Sequence, residues 1–359
     1  MRWLVHLLLF LYRRRHPDRP QPWPQAAVLP QAPRCVLVFA NTALGDTLLC
    51  TPALKVIRDN WPQARIVFFV HQRYRELFAD HEDIDVLIPY AGGWHGFLPT
   101  LMRLRRQRPD VALLLHSNGP QDVPTAVLSG ARIVLKPCSR SEWSHWLSAR
   151  LPERAQHVIE DKLDTLRQLG ARISTTRMQP GQRHLSARLA GDGWRHIGLQ
   201  MGAANVYKCW PVESFTALAR RLLETPQLRI HLLGSANEAA LAQQLAESLG
   251  HPPELSMDCG RYRIAELPAA LRQLDLLISN DTGPMHLGIA LGVPTLCLFA
   301  ATDPARIGPY QDLDRHRVIF EPGLDVQKLA KKERSDVAMR RISVDTVYNE
   351  AQRMLEKMP

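Results

Sequence analysis

The chain has 359 residues, 45% of them hydrophobic, which is long enough for two domains of ordinary size. Lysine and arginine total 45 against 35 aspartate and glutamate, so the formal net charge is +10. Such a charge favours an acidic partner, namely nucleic acid, an anionic membrane surface or a phosphorylated substrate. No nucleic-acid-binding motif accompanies it, and we therefore expect no nucleic-acid partner.

The six cysteines are scattered without a C-x-x-C pair, and most lie in apolar runs. This spacing indicates reduced cysteines in a cytosolic protein and argues against a disulfide framework. No H-E-x-x-H or similar spacing of ligands occurs, so the sequence predicts no metal site.

The N-terminus carries an apolar segment, residues 3–12, followed by Arg13, Arg14 and Arg15. The segment is too short to span a bilayer, which takes about 20 helical residues, and a signal peptide carries its charge before the apolar part. We predict a helix in the membrane interface, with its arginines on anionic headgroups. The alternative is an ordinary helix packed on the protein body. The proline-rich remainder of residues 1–33 indicates an extended linker.

Residues 34–185 alternate between strand-like apolar runs and helical segments, which predicts a doubly wound parallel sheet. After the first strand, Gly45 predicts a tight turn, and Asp46 is either a helix N-cap or a catalytic base at the carboxyl edge of the sheet. Predicted strands lie at 34–41, 65–71, 84–89, 111–116 and 131–135, and predicted helices at about 48–58, 73–80, 97–107, 123–128 and 157–169.

Two groups of polar residues in this domain are candidates for contacts with an anionic ligand. Arg103 and Arg106 lie on one predicted helix, where a solvated face is the alternative, and His116 and Asn118 lie at the carboxyl end of a predicted strand.

The second domain, residues 186–343, begins with a strand at 196–201 and a loop from Gly202 to Lys208. Glu238 lies at the start of a later helix, and Tyr262 precedes another at about 264–274.

The segment from 274 to 309 predicts a strand, a tight turn, a helix and a second strand. Its turn contains Asp281, Thr282 and Gly283, and His286 lies one helical turn further on. Backbone N–H groups at a helix N-terminus suit a diphosphate, and a carboxyl edge of parallel strands is where α/β sheets bind ligands. The alternative is that Asp281 only caps the helix and His286 is a surface residue.

Three segments of the chain resemble glycosyltransferase family 9, the ADP-heptose:lipopolysaccharide heptosyltransferases. They are Gly45-Asp46 followed by T-P-A-L, the Gly-Ala loop that leads to Lys208, one residue, Trp and Pro, and NDTGPMHLGIALGVPTLCLFAATDPARIGPY from Asn280 to Tyr310. The resemblance implies an α/β fold of the GT-B type, in which two Rossmann-like, doubly wound parallel-sheet domains face a central cleft. It also implies that residues 344–359 form a helix that crosses back to the first domain.

The resemblance also implies roles for the candidate residues. Asp46 matches the general base, and Lys208 matches the lysine that binds the donor diphosphate. Glu238 is a candidate for the ribose hydroxyls, and Tyr262 falls where the family backbone contacts adenine. The remaining donor-side candidates are Gly202, Asp281, Thr282, Gly283 and His286, and the acceptor-side candidates are Arg103, Arg106, His116 and Asn118.

We therefore predict an inverting, metal-independent transfer of heptose from ADP-heptose, with no cofactor, to the lipopolysaccharide inner core or another anionic glycolipid. The predicted location is cytoplasmic, peripheral on the inner face of the bacterial inner membrane. Ala203 and Ala204 replace hydroxyl residues of related loops, which leaves open another nucleotide sugar or glycan acceptor. The sequence is also compatible with a sugar-nucleotide epimerase of the same fold and with a non-enzymatic membrane-associated binding protein.

Overall fold

The computed structural model describes residues 2–22, 31–94, 96–137, 142–152, 154–181, 192–300, 302–322 and 335–357. The chain divides into two compact units, residues 1–182 and 183–359, and each contains one six-stranded sheet. The sequence pattern predicts this division after residue 185.

The first unit is built on a wholly parallel sheet with strand order β3-β2-β1-β4-β5-β6. Its central strand β1 is buried at every residue, as its unbroken apolar run requires when helices cover both faces of a parallel sheet. The strands are β1 Cys35–Ala40, β2 Arg65–His71, β3 Val86–Tyr90, β4 Val111–His116, β5 Ile133–Lys136 and β6 Ala149–Arg150.

In the part of the first unit that the structure describes, six α-helices accompany this sheet, and most of them lie in the crossovers that parallel strands require. They are α1 Arg2–Arg15, α2 Leu44–Leu48, α3 Thr51–Asn60, α4 Phe97–Arg106, α5 Asp122–Leu128 and α6 Val158–Arg167. Short 3₁₀ helices lie at Gln72–Phe78 and Ser144–Trp146. The helix predicted at 73–80 is therefore a 3₁₀ helix, and α2 and β6 were not predicted.

The N-terminal helix α1 packs one face into the core of the first unit. Val5, Leu9 and Tyr12 follow one another at helical spacing and are all buried there. The opposite face stays apolar and exposed, with Trp3 75% and Phe10 53% accessible. Helix α1 therefore packs on the body along one face, as the alternative proposed, and keeps a second apolar face free of that core.

The second unit repeats the same architecture with strand order β12-β11-β10-β7-β8-β9, again wholly parallel. Its strands are β7 Arg195–Gln200, β8 Leu228–Leu233, β9 Leu255–Met257, β10 Leu276–Asn280, β11 Thr295–Phe299 and β12 His316–Phe320. Its α-helices are α7 Val212–Leu222, α8 Ala239–Ser248, α9 Leu267–Arg272, α10 Gly283–Ala290, α11 Pro304–Ile307 and α12 Val344–Glu356. Further 3₁₀ helices lie at Val206–Lys208, Ala236–Glu238 and Met339–Arg341.

In each sheet, the chain adds strands first on one side of the first strand and then on its other side. In the first unit β1 lies between β2 and β4, and in the second β7 lies between β8 and β10. This is the doubly wound order of a Rossmann fold, whose ligands bind at the carboxyl ends of the strands on either side of the switch point. The loops after β1 and β4, and those after β7 and β10, are therefore where each unit is expected to bind its ligand.

The C-terminal helix packs on the core of the second unit. Helix α12 packs against α7 and β10, and Val347, Ala351 and Leu355 belong to that core. Their apolar spacing provides the face that this packing needs. The crossing of residues 344–359 to the first domain stays a prediction.

Part of the predicted N-terminal linker, residues 23–30, lies outside the described residues, as do residues 182–191 and 323–334. Five cysteines are free thiols in the described residues, and Cys138 lies outside them.

Candidate active site

The switch point of the first unit brings Asp46 and His116 together. Asp46 lies in the first turn of α2, directly after the loop that leaves β1, and His116 is the last residue of β4. The two atoms His116 Nε2 and Asp46 Oδ1 are 3.2 Å apart, and the other ring nitrogen, Nδ1, is 2.6 Å from Thr42 Oγ1. About a quarter of each of the Asp46 and His116 side chains is exposed, so the carboxylate is reachable by a substrate hydroxyl.

Helix α2 corrects the expected tight turn at Gly45. The glycine is the second residue of α2 and has no left-handed backbone conformation, so its place is within the helix. Asp46 is not the N-cap either, because Ala43 holds that position. The alanine side chain has no atom that could accept a capping hydrogen bond. The Asp46 carboxylate is therefore available for the interaction with His116 and not for capping.

Buried polar residues fix the loop that follows β4. Asn41 Nδ2 donates to Asp122 Oδ1 at 3.2 Å, and the Gly119 N–H donates to Asp122 Oδ2 at 2.8 Å. Lys136 Nζ donates to the Ser117 carbonyl at 2.6 Å. Burial raises the pKa of Asp122, which these hydrogen bonds and Lys136 oppose.

The switch point of the second unit is occupied by a buried carboxylate with two hydrogen-bond donors. Lys208 Nζ donates to Asp281 Oδ2 at 2.5 Å, and Thr302 Oγ1 donates to the same oxygen at 2.7 Å. His286 Nε2 lies 3.9 Å from Asp281 Oδ1. A buried charge requires such partners, and here they come from three different segments of the chain.

The neighbouring Asn280 fixes the loop that carries Lys208. Its Nδ2 donates to the Met201 carbonyl at 2.7 Å, and its Oδ1 accepts from the Trp210 N–H at 3.0 Å. Both ends of the loop after β7 are thus attached to the last residue of β10. The indole N–H of the buried Trp210 donates to the Ile342 carbonyl at 3.0 Å, which holds the end of this loop against the core.

Helix α10 begins at Gly283, with Thr282 as its N-cap. The Thr282 side chain makes no capping hydrogen bond, and Asp281 is engaged by Lys208 and Thr302. The alternative that Asp281 only caps the helix is therefore wrong. His286 is also not a surface residue, because it is only 2% exposed. Backbone N–H groups at the start of α10 consequently lie beside an ammonium group and a buried imidazole.

Glu238 and Gly202 contact each other, although they belong to different loops. A Cβ atom added to Gly202 would lie 2.5 Å from Glu238 Cδ, so a side chain at this position would displace the glutamate carboxylate. Glu238 Oε2 accepts hydrogen bonds from the Ser235 N–H and hydroxyl, both at 2.7 Å, in a capping box. The structure thus gives Glu238 a capping function, and its contact with ribose stays a prediction.

The remaining predicted site residues are not brought to these clusters. Arg103 and Arg106 are exposed in the last turn of α4, which ends beside the amino end of β2 where Arg65 contacts the Gln107 carbonyl. This is the opposite edge of the sheet from Asp46. Asn118 is exposed in the loop after β4. Tyr262 is half-buried, with Arg261 packed over its ring, and its contact with adenine stays a prediction.

Two residues of the clusters were not predicted from the sequence. Thr302 follows β11 in the T-D-P part of the third motif, and Thr42 precedes Asp46 in the first. Each is a hydroxyl residue near the carboxyl end of a strand, which could have marked it as a candidate. The sequence does not show which side chain it contacts, because that depends on the order of the strands in the sheet. Among the described residues, no group of three or more histidine, cysteine, aspartate or glutamate side chains is arranged to hold a metal ion.

Comparisons with known proteins agree with this arrangement. The model of Glycosyltransferase family 9 (heptosyltransferase) matches residues 126–335, more than half of the chain. Lipopolysaccharide heptosyltransferase 3 of Escherichia coli is 22% identical over 277 residues, which are 72% of this chain and 81% of that protein.

Two solved structures share the fold. The glycosyl transferase family 9 structure from Veillonella parvula has a TM-score of 0.74 and 24% identity, and the match covers 90% of this chain and 98% of that one. The Escherichia coli heptosyltransferase WaaC with ADP has a TM-score of 0.71 and 19% identity, covering 89% and 99%.

The two doubly wound units have the GT-B fold of these solved structures. The chain belongs to glycosyltransferase family 9, the heptosyltransferase family. The predicted fold class and family resemblance are thereby confirmed.

Proposed function

We propose that the protein is an inverting glycosyltransferase that moves heptose from ADP-heptose to the inner core of lipopolysaccharide. The observation that carries the proposal is the meeting of Lys208 with the N-terminus of α10 at the switch point of the second unit. A cation beside unpaired helix N–H groups is a site for a diphosphate. The family membership and the ADP in the WaaC structure support a nucleotide-diphosphate heptose as its ligand.

In this proposal, Lys208 binds the donor without giving up Asp281. An ammonium group has three N–H donors, and the Asp281 carboxylate uses one of them. The others are available to diphosphate oxygens, together with the N–H groups that begin α10. Asp281 holds the lysine in place, and the Thr302 hydroxyl stabilises that carboxylate by donating a hydrogen bond to it. Ala203 and Ala204 supply only backbone N–H groups, so the phosphate contacts of that loop come from its main chain.

Asp46 is the proposed base. The carboxylate takes the proton from an acceptor hydroxyl, and the oxygen forms a bond to the anomeric carbon of heptose. The bond from that carbon to the diphosphate breaks, its electron pair leaves with ADP, and attack from the opposite face inverts the configuration. The α10 amides and Lys208 stabilise the negative charge that develops on the departing diphosphate, which is the contribution a metal makes in other transferases.

We further propose that α1 places the enzyme on the cytoplasmic face of an anionic membrane, where a glycolipid acceptor is found. The exposed face of α1 presents Trp3, Leu7, Phe10 and Leu11, and exposed Arg13, Arg14 and Arg15 follow in its last turn. An apolar helix face beside a cationic cluster binds an anionic lipid surface.

Helix α4 extends this surface. It packs against α5, as α1 does, and exposes Leu98 and Met102 among its arginines. Buried residues of both helices, Leu9 of α1 and Leu101 and Leu104 of α4 among them, belong to one core cluster. No helix among the described residues is long and apolar enough to cross the membrane.

The test measures ADP release from ADP-heptose, with and without heptose-deficient lipopolysaccharide core. We expect release that depends on the acceptor, and no nucleotide release from UDP-glucose or GDP-mannose. Acceptor-independent turnover of UDP-N-acetylglucosamine would favour the epimerase alternative. Acceptor-dependent release only from a different nucleotide sugar would refute the heptose assignment.

A further inference from the structure

The Asp46–His116–Thr42 cluster contains more groups than a base needs. Thr42 Oγ1 lies 2.6 Å from His116 Nδ1, and His116 Nε2 lies 3.2 Å from Asp46 Oδ1. All three residues lie at the carboxyl ends of the adjacent strands β1 and β4: Thr42 in the loop after β1, Asp46 in the first turn of α2, and His116 at the end of β4. The imidazole therefore bridges a hydroxyl group and the carboxylate proposed as the base.

The chemistry of these groups assigns the proton of the imidazole. An ionised carboxylate only accepts hydrogen bonds, so His116 donates from Nε2 to Asp46. Nδ1 then carries a lone pair and accepts the hydrogen bond that the Thr42 hydroxyl donates. This assignment satisfies both short contacts with a neutral ring.

The surroundings keep the ring neutral. Burial lowers the pKa of His116 to about 4, with the charges of Lys162 on α6 and Lys136 on β5 acting in the same direction, whereas Asp46 opposes the shift. Lys162 is itself only 4% exposed, and its Nζ donates to the Val158 carbonyl at 3.3 Å. The imidazole is therefore neutral at neutral pH, as the assignment of its proton to Nε2 requires.

We propose that His116 is a positioning residue for Asp46, which holds Oδ1 through its Nε2–H and so presents Oδ2 to the acceptor hydroxyl. Among the residues the structure describes, no side chain donates a hydrogen bond to Oδ2. Thr42 fixes the ring orientation, in the way that the partner of a catalytic imidazole selects its tautomer. This inference rests on the proposed role of Asp46, and it gives His116 a function other than the predicted contact with the acceptor.

The experiment compares His116→Ala, His116→Gln and His145→Ala by steady-state kinetics, with ADP-heptose and heptose-deficient core as substrates. We expect kcat to fall about 10- to 100-fold in His116→Ala, the effect of losing one hydrogen bond to a charged group, with KM for the core unchanged. Glutamine retains an N–H donor and should recover most of kcat. His145 is exposed and outside the cluster, so its variant should behave as wild type.

A second pair of variants keeps the imidazole in place. Thr42→Val removes the hydroxyl that donates to Nδ1 and should lower kcat, whereas Thr42→Ser should retain it. Binding of ADP and the melting temperature, measured for every variant, show whether the fold is kept.

Asp46→Asn separates this inference from the proposed function. An inactive Asp46→Asn with a fully active His116→Ala overturns the positioning role and leaves the base assignment intact. A raised KM for the core, with kcat unchanged, also overturns it, because His116 would then contact the acceptor. An active Asp46→Asn refutes the base assignment and this inference together.

Discussion

Asp281 is a buried carboxylate, and the fold provides hydrogen-bond donors that offset the cost of burying its charge. Its side chain is 5% exposed, and Lys208 and Thr302 both donate to one of its oxygens. Removal of one partner from a buried ion pair leaves a charge that the interior solvates poorly. The pair therefore links stability of the second unit to the proposed donor site.

Lys208→Ala should reduce both stability and nucleotide binding. We expect a loss of about 3 kcal/mol in the free energy of unfolding, because the Asp281 charge loses its main partner. ADP affinity, measured by titration calorimetry, should fall at least about tenfold, since a charge-assisted hydrogen bond to phosphate is lost.

Lys55→Ala is the matched control for this prediction. Lys55 forms an ion pair with Asp59 on the exposed face of α3, and such pairs contribute about 0–1 kcal/mol. Its variant should bind ADP as the wild type does. Equal ADP affinities for the Lys208 and Lys55 variants would contradict the diphosphate site.

His81 predicts a pH dependence of stability. The side chain is 4% exposed, and burial lowers its pKa from 6.5 to about 4. Between pH 6.5 and about 4, His81 is protonated in the unfolded chain but stays neutral in the folded protein. The contribution is therefore fully present above pH 6.5 and is lost as the pH falls towards 4, with an upper limit of about 3 kcal/mol.

His81→Asn tests this dependence, because its Oδ1 can replace the ring nitrogen that accepts from the Asp83 N–H. Urea unfolding between pH 4 and 7 should show a shallower loss of stability for the variant than for the wild type. Identical slopes would show that His81 does not titrate as its burial requires.

At the residue scale, the sequence predicted the charged members of both clusters but not their mutual contacts. Motif positions identified Asp46, Lys208 and Asp281, because charged residues in turns after buried strands are visible in one segment. The bond between Lys208 and Asp281 joins residues far apart in the sequence. It follows from β7 and β10 being neighbours, which local patterns do not encode.

At the scale of elements, α1 is the unusual helix because both of its faces are apolar. A helix that packs against a core normally has a polar outer face. In α1, Val5 and Leu9 are buried, whereas Trp3 and Phe10 on the other side are exposed. Such a face needs a partner, and the proposed partner is the membrane.

The double variant Trp3→Ser/Phe10→Ser should lose binding to vesicles that contain anionic lipid, measured by sedimentation, while ADP binding is retained. Salt should weaken wild-type binding, because the arginines that follow contact headgroups. Leu241→Ser changes an exposed leucine of the second unit and should leave vesicle binding unaltered. Undiminished binding of the double variant would exclude α1 as the membrane contact.

The elements that sequence patterns missed are short. Helix α2 has five residues and β6 has two, which is too few for a hydrophobic pattern to repeat and be recognised. The 3₁₀ helix at Gln72–Phe78 satisfied a helical pattern, because its buried Leu77 and Phe78 do not distinguish the two helix types. By contrast, the wholly apolar strand β1 was predicted at 34–41 and is observed at Cys35–Ala40.

For the whole molecule, the alternation of strands and helices predicted two doubly wound units, and the strand orders confirm them. The position of α12 could not be predicted this way, because its apolar face fits any core of suitable shape. Its placement depends on contacts of residues such as Val347 and Ala351 with α7 and β10.

The central claim is heptosyl transfer with Asp46 as the base. Its most direct test is mass spectrometry of heptose-deficient lipopolysaccharide core after incubation with ADP-heptose and either wild type or Asp46→Asn. We predict that the wild type adds one heptose, and that the variant, although it still binds ADP, is slower by at least about 100-fold. Transfer by Asp46→Asn at the wild-type rate, or no heptose transfer by the wild type, would contradict the claim.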